Sequence, residues 1–197
     1  MTTPNVSSAP TADDRSVSPY STREKIGRIL WAVVQNTLFR LSFHNWYGWR
    51  RFLLTRFGAK LGSNVRIRRT VRVECPWNLA TGSNCSVGDN SILYCLGPVT
   101  FGDRVSISQN AHICAGSHDH TRPDLPLTRP PVTIQDDAWI AADAFVGPDI
   151  TVGRGAILGA RGAAFKDLDP WTIFGGNPAK PISKRPPFKD QPQEQTP

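Results

Sequence analysis

At 197 residues the chain is the length of one domain of ordinary size with a helical appendage, and no apolar run approaches the roughly 20 residues that span a bilayer, so it reads as soluble. The formal charge of +7 is lopsided: residues 23–72 carry twelve Lys/Arg against Glu24 alone, leaving −4 for the remainder. That asymmetry suits an anionic membrane face, a polyanionic substrate or a solvated helix face. No nucleic-acid motif accompanies it, so that partner is set aside.

Residues 1–20 lack the charged-then-apolar layout of a signal peptide and read as a disordered tail, as do residues 186–197. A helical segment is expected over 21–60. Ser21 followed by Glu24 has the spacing of a capping box, and Ile26, Ile29, Leu30, Val33, Val34 and Leu41 then recur on one face. A second helix is expected from an Asn45 cap to Gly58. Trp31, Trp46 and Trp49 lie among arginines and would suit a membrane interface, but the favoured reading is an amphipathic pair packed on the main domain. Cysteines 75, 85, 95 and 114 form no CxxC pair, which argues against a zinc ribbon and for reduced, structural thiols in a cytosolic protein.

From Leu61 a six-residue period takes over. Ile134, Ile140, Val146, Val152, Leu158 and Ala164 are six apart, each followed four residues on by a mostly small residue such as Ala138, Ala144 or Gly162. Leu61, Ile67, Val73 and Leu79 share the spacing, as do Val87 with Leu93, and Phe101, Ile107 and Ile113. Fifteen hexads result, interrupted at 85–86, 99–100 and 119–133, which is five triangular coils of a parallel β-helix over 61–170. The excursion 119–133 holds four prolines, so an ordered functional loop is expected there. Residues 171–185 are expected to form a C-terminal segment with a short helix.

The hexads, the SHD triplet 117–119, the run VTIQDDAWIAADAFVGPDITVGRGAILGARGAAFKDL and the ending GGNPAKPI resemble the hexapeptide-repeat acyltransferases. PWNL, PVTFGDRVSISQ, HICAGSHD and WRRFLLTRFGA narrow the resemblance to the colanic-acid type of exopolysaccharide O-acetyltransferase, with galactoside and maltose acetyltransferases more distant. The resemblance covers about residues 24–185. It implies a left-handed β-helix, which spacing cannot supply, since parallel crossovers are right-handed in about 98% of cases. It also implies a homotrimer with acetyl-coenzyme A in clefts between prisms.

Moving an acetyl group from a thioester to a sugar hydroxyl requires a base for the hydroxyl proton and N–H donors for the oxyanion. Four histidines compete as base. His44 lies in the helical segment, and His112 ends the hexad before the one His118 ends. His118 and His120 point the same way in an extended chain. The resemblance selects His118. At the place of the family's acceptor-site asparagine stands Cys95 in ILYCLG, so backbone N–H groups or the Tyr94 hydroxyl would support the oxyanion, with His120 a further acceptor-site candidate. Coenzyme contacts implied by position are Trp139, Ala142, Ala160, Lys166, Lys180 and Arg185. No metal is called for. The implied acceptor is a sugar or glycan, free or lipid-linked; a lipid-linked one would place the enzyme at the inner membrane face with residues 23–72 as the contact. The rivals are an acetyltransferase of an antibiotic or other small alcohol, a γ-type carbonic anhydrase holding zinc on His112, His118 and His120, and a non-catalytic scaffold.

Overall fold

Two-residue and three-residue strands, each one side of a triangular coil, pair in parallel with the strands above and below and leave one inward residue per row. The computed structural model describes residues 18–186 and Phe188. Face A stacks Lys60–Leu61, Leu79–Thr81, Val99–Phe101, Val132–Ile134 and Ile150–Val152. Face B begins with Arg66–Ile67 and ends with Ile157–Leu158 and Thr172–Gly175; face C runs from Arg72–Val73 to Ala163–Ala164. Five full coils result, as the hexads require. The inward rows Ile67–Val87–Ile107–Ile140–Leu158 and Val73–Leu93–Ile113–Val146–Ala164 are almost wholly buried.

The three corners are not alike. From A to B and from B to C, six residues separate the inward positions in every coil, and residues at positive φ make the tight turns: Asn64, Asn84, Arg104 and Asp137 at one corner, Asn90, Asn110, Asp143 and Arg161 at the other. Asn and Asp tolerate that conformation best. From C back to A the spacing varies. Val73 to Thr81 and Leu93 to Phe101 take eight residues, Ile113 to Ile134 takes twenty-one, and Val146 to Val152 takes six. Leu61 therefore stacks on Thr81, not on Leu79, and the first interruption lies at the 3₁₀ turn Pro76–Asn78 rather than at 85–86. The polar Thr81 hid the true register, because face A strands also bury the residue two before it; Leu79 is 1% exposed.

The helical segment closes the first coil. Helix α1 spans Thr22–Val34 and passes through a π turn, Gln35–Phe39; helix α2 spans Tyr47–Arg56. The Ser21 side chain accepts from the Glu24 N–H, but the reciprocal half of the capping box is absent because the Glu24 carboxylate pairs with Arg129 at 3.0 Å. The α2 cap is Trp46, without a side-chain bond, rather than Asn45. The expected packing face is also corrected. Trp31 and Phe39 are the buried residues, whereas Ile26, Ile29, Leu30, Val33 and Leu41 are 54–77% exposed. The opposite side of the helix meets the prism and makes specific bonds there. Trp31 Nε1 donates to the Val73 carbonyl at 2.6 Å, Gln35 Oε1 accepts from the Val73 N–H, and Arg28 pairs with Glu74.

The expected short C-terminal helix is not present: Thr172–Gly175 extends face B and turns back into Lys180–Lys184 as an antiparallel hairpin that covers the sheet's last edge. Of the expected tails, residues 1–17, 187 and 189–197 lie outside the described residues, while Tyr20 sits under the guanidinium groups of Arg28 and Arg129.

Arg50, fully buried, fastens the cap. Its guanidinium donates to the carbonyls of Ile67, Phe43 and His44 and to the Ser42 hydroxyl, with no carboxylate paired to it among the described residues, and burial pushes its pKa down. Replacing it removes the donors of four acceptors at once, two buried and two part-buried. Arg50→Met is expected to lower the unfolding free energy by roughly 2–4 kcal/mol in denaturant titration. A loss under about 0.5 kcal/mol would show that the cap is held by packing alone.

Candidate active site

The C-to-A corner of the third coil carries an arm rather than a turn. After His112–Cys114 the chain leaves the prism at Ser117–His118, which pairs antiparallel with Leu127–Thr128, and rejoins face A at Val132. The expected loop 119–133 is thus mostly a short ribbon and its tip. Asp119 makes the tip: its carboxylate accepts from the Thr121 N–H and hydroxyl, which pulls its pKa down, and its own N–H donates to the Pro126 carbonyl. It does not orient the histidine. Two glycines allow the close approaches around the arm. A Cβ at Gly97 would stand 2.5 Å from the Arg129 carbonyl, and one at Gly116 would stand 2.9 Å from the Tyr94 ring.

His118 lies at the base of this arm and is solvent-exposed. Its Nδ1 lies 2.6 Å from the Leu125 carbonyl oxygen. A carbonyl only accepts, so Nδ1 carries the proton and Nε2 presents its lone pair outward. Leu125 has φ 45°, uncommon for a leucine, so the arm's tip holds a strained residue whose carbonyl fixes the tautomer. Sequence reasoning missed Leu125 because a backbone carbonyl leaves no signature in residue type. His120 lies in the tip, outside the ribbon, so the extended-chain argument that equated it with His118 does not apply.

Tyr94 is half-buried beneath Gly116, and its hydroxyl pKa is raised by burial. Cys95 is corrected as an acceptor-site residue. It is fully buried, its thiol contacts the Leu93 carbonyl, and burial pushes its pKa up. It points inward because the residues on either side, Tyr94 and Leu96, belong to the strand and to the following ledge. Asn78, another residue that was missed, donates to the carbonyls of Cys95 and Leu96 from the coil below. All four cysteines are free, and burial raises Cys75 to about 11.

The expected coenzyme residues are distributed over the far coils. Trp139 and Arg185 meet in a recess of about 440 Å3 on face B with Arg104, Ser106, Asp137 and Phe188. Trp139 Nε1 donates to Ser108 Oγ at 2.9 Å, and Arg185 donates to the Asp137 and Gly155 carbonyls at 2.7 and 2.9 Å. Ala142 and Ala160 lie at the B-to-C corner, where the Ala142 carbonyl accepts from the Arg161 N–H. Lys166 is exposed at the C-to-A corner, and Lys180 is exposed in the final hairpin. The structure therefore brings together Trp139 and Arg185 but places them on a different side of the prism from His118. Face C lies between, with the outward row Ile92, His112, Phe145 and Ala163. Among the described residues no group of three or more His, Cys, Asp or Glu could hold a metal ion.

His112 stands edge-on to Phe145 and to Tyr94, its Nε2 buried without a partner. Burial lowers its pKa below 6.5. The folded chain then binds fewer protons than the unfolded one just below 6.5, so this contribution is complete above that pH and is lost as pH falls through the depressed value. The thermal midpoint is expected to fall on acidification from pH 6.5, and His112→Gln is expected to flatten that slope. An unchanged slope in the variant would assign the acid sensitivity elsewhere.

No family model matches the chain. It is 44% identical over 156 residues, 79% of this chain and 86% of the relative, to WcaF of Escherichia coli K12, assigned as a colanic acid biosynthesis acetyltransferase. A hexapeptide-repeat acetyltransferase of Vibrio cholerae solved with acetyl coenzyme A superposes with a TM-score of 0.77 at 21% identity, over 86% of this chain and 93% of that one. A galactoside acetyltransferase solved with coenzyme A gives 0.70 at 21%, over 90% and 93%. Those two likenesses establish the fold, a parallel β-helix of the left-handed type with a helical N-terminal segment.

Proposed function

The chain belongs to the hexapeptide-repeat acetyltransferases, and from that premise we propose that it moves an acetyl group from acetyl-coenzyme A to a sugar hydroxyl during assembly of a cell-surface polysaccharide. The observation that carries the reading is the His118–Leu125 bond, which leaves Nε2 free as a general base. Nε2 takes the acceptor's hydroxyl proton as the oxygen attacks the thioester carbonyl. A C–O bond forms and the carbonyl electrons move onto oxygen. Collapse of that intermediate breaks the C–S bond, and the imidazolium returns the proton to the departing thiolate. Backbone N–H groups near the ledge, with Tyr94, are the proposed oxyanion support now that Cys95 is buried.

The working assembly is a homotrimer. Two features support it: the proposed base lies on a different side of one prism from Trp139 and Arg185, and the wall between them, Ile92, His112 and Phe145, is half-buried and largely apolar. A neighbouring prism set against that wall would bring one copy's arm to the other's far coils. There Trp139, Ala142 and Ala160 would line the pantetheine arm, and Lys166, Lys180 and Arg185 would meet the phosphates. The proposed acceptor is a lipid-linked glycan, and the place of action is the cytoplasmic face of the membrane. No helix among the described residues is long and apolar enough to cross it.

Calorimetric titration with coenzyme A is expected to give about one site per chain at micromolar affinity. His118→Ala should retain that binding while transfer to sugar acceptors falls by about 10²–10⁴-fold. Absence of coenzyme binding by folded protein would overturn the transferase reading, and an active His118→Ala would move the base to His120.

A further inference from the structure

Helix α1 has two opposed faces. One is committed to the prism through Arg28, Trp31 and Gln35. The other presents Ile26, Ile29, Leu30 and Val33 at i, i+3, i+4 and i+7, each more than half exposed. The apolar surface continues beyond it in Leu38, Leu41, Phe43, Trp46, Trp49 and Phe52. Trp49 packs on Phe52 with centroids 5.6 Å apart and donates to the Leu38 carbonyl, and Phe43 packs on Trp46 at 5.0 Å. A face of this composition facing water requires an occupant.

The surrounding charge selects the occupant. Arg23, Lys25, Arg40 and Arg56, carried by the same helical segment, are exposed. At about 100° per residue, Arg23 and Lys25 stand on either side of the α1 stripe. Glu24, the one acid between residues 23 and 72, is already paired with Arg129. A second copy laid on this face would oppose like cations with nothing to neutralise them, and interface cores are depleted in charge. An anionic surface satisfies both requirements.

We propose that the exposed face of α1, the π turn and α2 docks on an anionic phospholipid bilayer, lying in the headgroup region with its aromatic residues at the interface and its basic rim on the lipid phosphates. This rests on the proposed membrane-face site of action but not on the chemistry of His118. Three-fold rotation keeps the prism axes pointing the same way, so a trimer presents all three helical caps at one end. Three faces then engage one surface together, which multiplies a weak single attachment. The docking helix is tied to the arm by the Glu24–Arg129 pair and by Tyr20, which lies under Arg28 and Arg129, so the arm bearing His118 is tied to the element that meets the lipid.

The test is sedimentation of the purified full-length chain with phosphatidylcholine vesicles, with and without phosphatidylglycerol, at low and high salt. Binding is expected on the anionic vesicles and should weaken with salt, each cation strengthening partition by about fivefold. The double variant Ile29→Asn, Val33→Asn should lose about tenfold or more in retention while keeping its circular dichroism, its mass by light scattering and its coenzyme titration. Arg40→Glu is a second variant that leaves the apolar face whole and should reduce binding to anionic vesicles alone. The proposal is overturned if the full chain stays in the supernatant with anionic vesicles at low salt. It is also overturned if the double variant binds as wild type does, or if that variant changes mass, which would make the face an interface between copies. Vesicle binding without coenzyme binding would leave docking intact and remove the transferase reading instead.

Discussion

Coil-on-coil pairing is the constraint on which the rest of this molecule depends. Strands of two or three residues leave no room for an extra residue between the inward positions without turning the next side chain out of the core. Every irregularity must therefore leave at a corner, and here one corner takes them all. Inward rows six residues apart pass both other corners in each coil, most of them held by Asn, Asp or Arg at positive φ and one by Gly155. The C-to-A corner absorbs the two-residue additions of the first coils and the whole arm of the third. The additions stack: Asn78 reaches the carbonyls of Cys95 and Leu96, and the Gly97 N–H reaches the Ala115 carbonyl at 2.6 Å. They form a ledge from which the arm springs, so the irregular corner is the one that carries the proposed base.

The proposed base, His118, needs little from its surroundings because of how the arm holds it. Many catalytic histidines are oriented by a carboxylate, which also raises their basicity. His118 is oriented by a backbone carbonyl instead, and the nearest carboxylate in sequence, Asp119, is committed to the turn. A neutral acceptor fixes the tautomer without holding a proton on Nε2. That suits a reaction whose leaving group, a thiolate, departs readily and asks the base mainly to activate the nucleophile.

The parts legible in the sequence are those governed by a period. Side chains six apart must share a face whatever the rest of the chain does, so the five coils and their core could be read before any coordinates. The SHD triplet likewise marked where the chain leaves the prism, at Ser117–His118, while the choice of His118 over His120 as the proposed base rests on the resemblance. What failed depended on tertiary partners. Leu79 and Thr81 exchange roles because face A buries two residues per strand, and Cys95 turns inward at a corner whose shape comes from insertions in three coils. The apolar stripe of α1 was read as the packing face because burial usually follows hydrophobicity. Here the Val73 carbonyl and N–H, together with Glu74, held the opposite face down.

That inversion links the helical cap to the arm. A helix that turns its polar-spaced side to the prism forgoes the burial of four large aliphatic residues, each contributing about 1.5–3 kcal/mol if covered. The bonds from Trp31, Gln35 and Arg28 are fewer and individually worth about 1 kcal/mol each, more where charged. A helix of this sequence would not adopt that orientation for its own stability unless the cap beyond it, fixed by Arg50 and by the buried Phe39 and Leu54, set its direction. The orientation is therefore imposed by the fold, and the uncovered apolar stripe is a consequence of how the first coil is closed. With Glu24 at the start of the same helix bonded to Arg129 on the returning side of the arm, the surface left uncovered and the arm that bears His118 belong to one connected element.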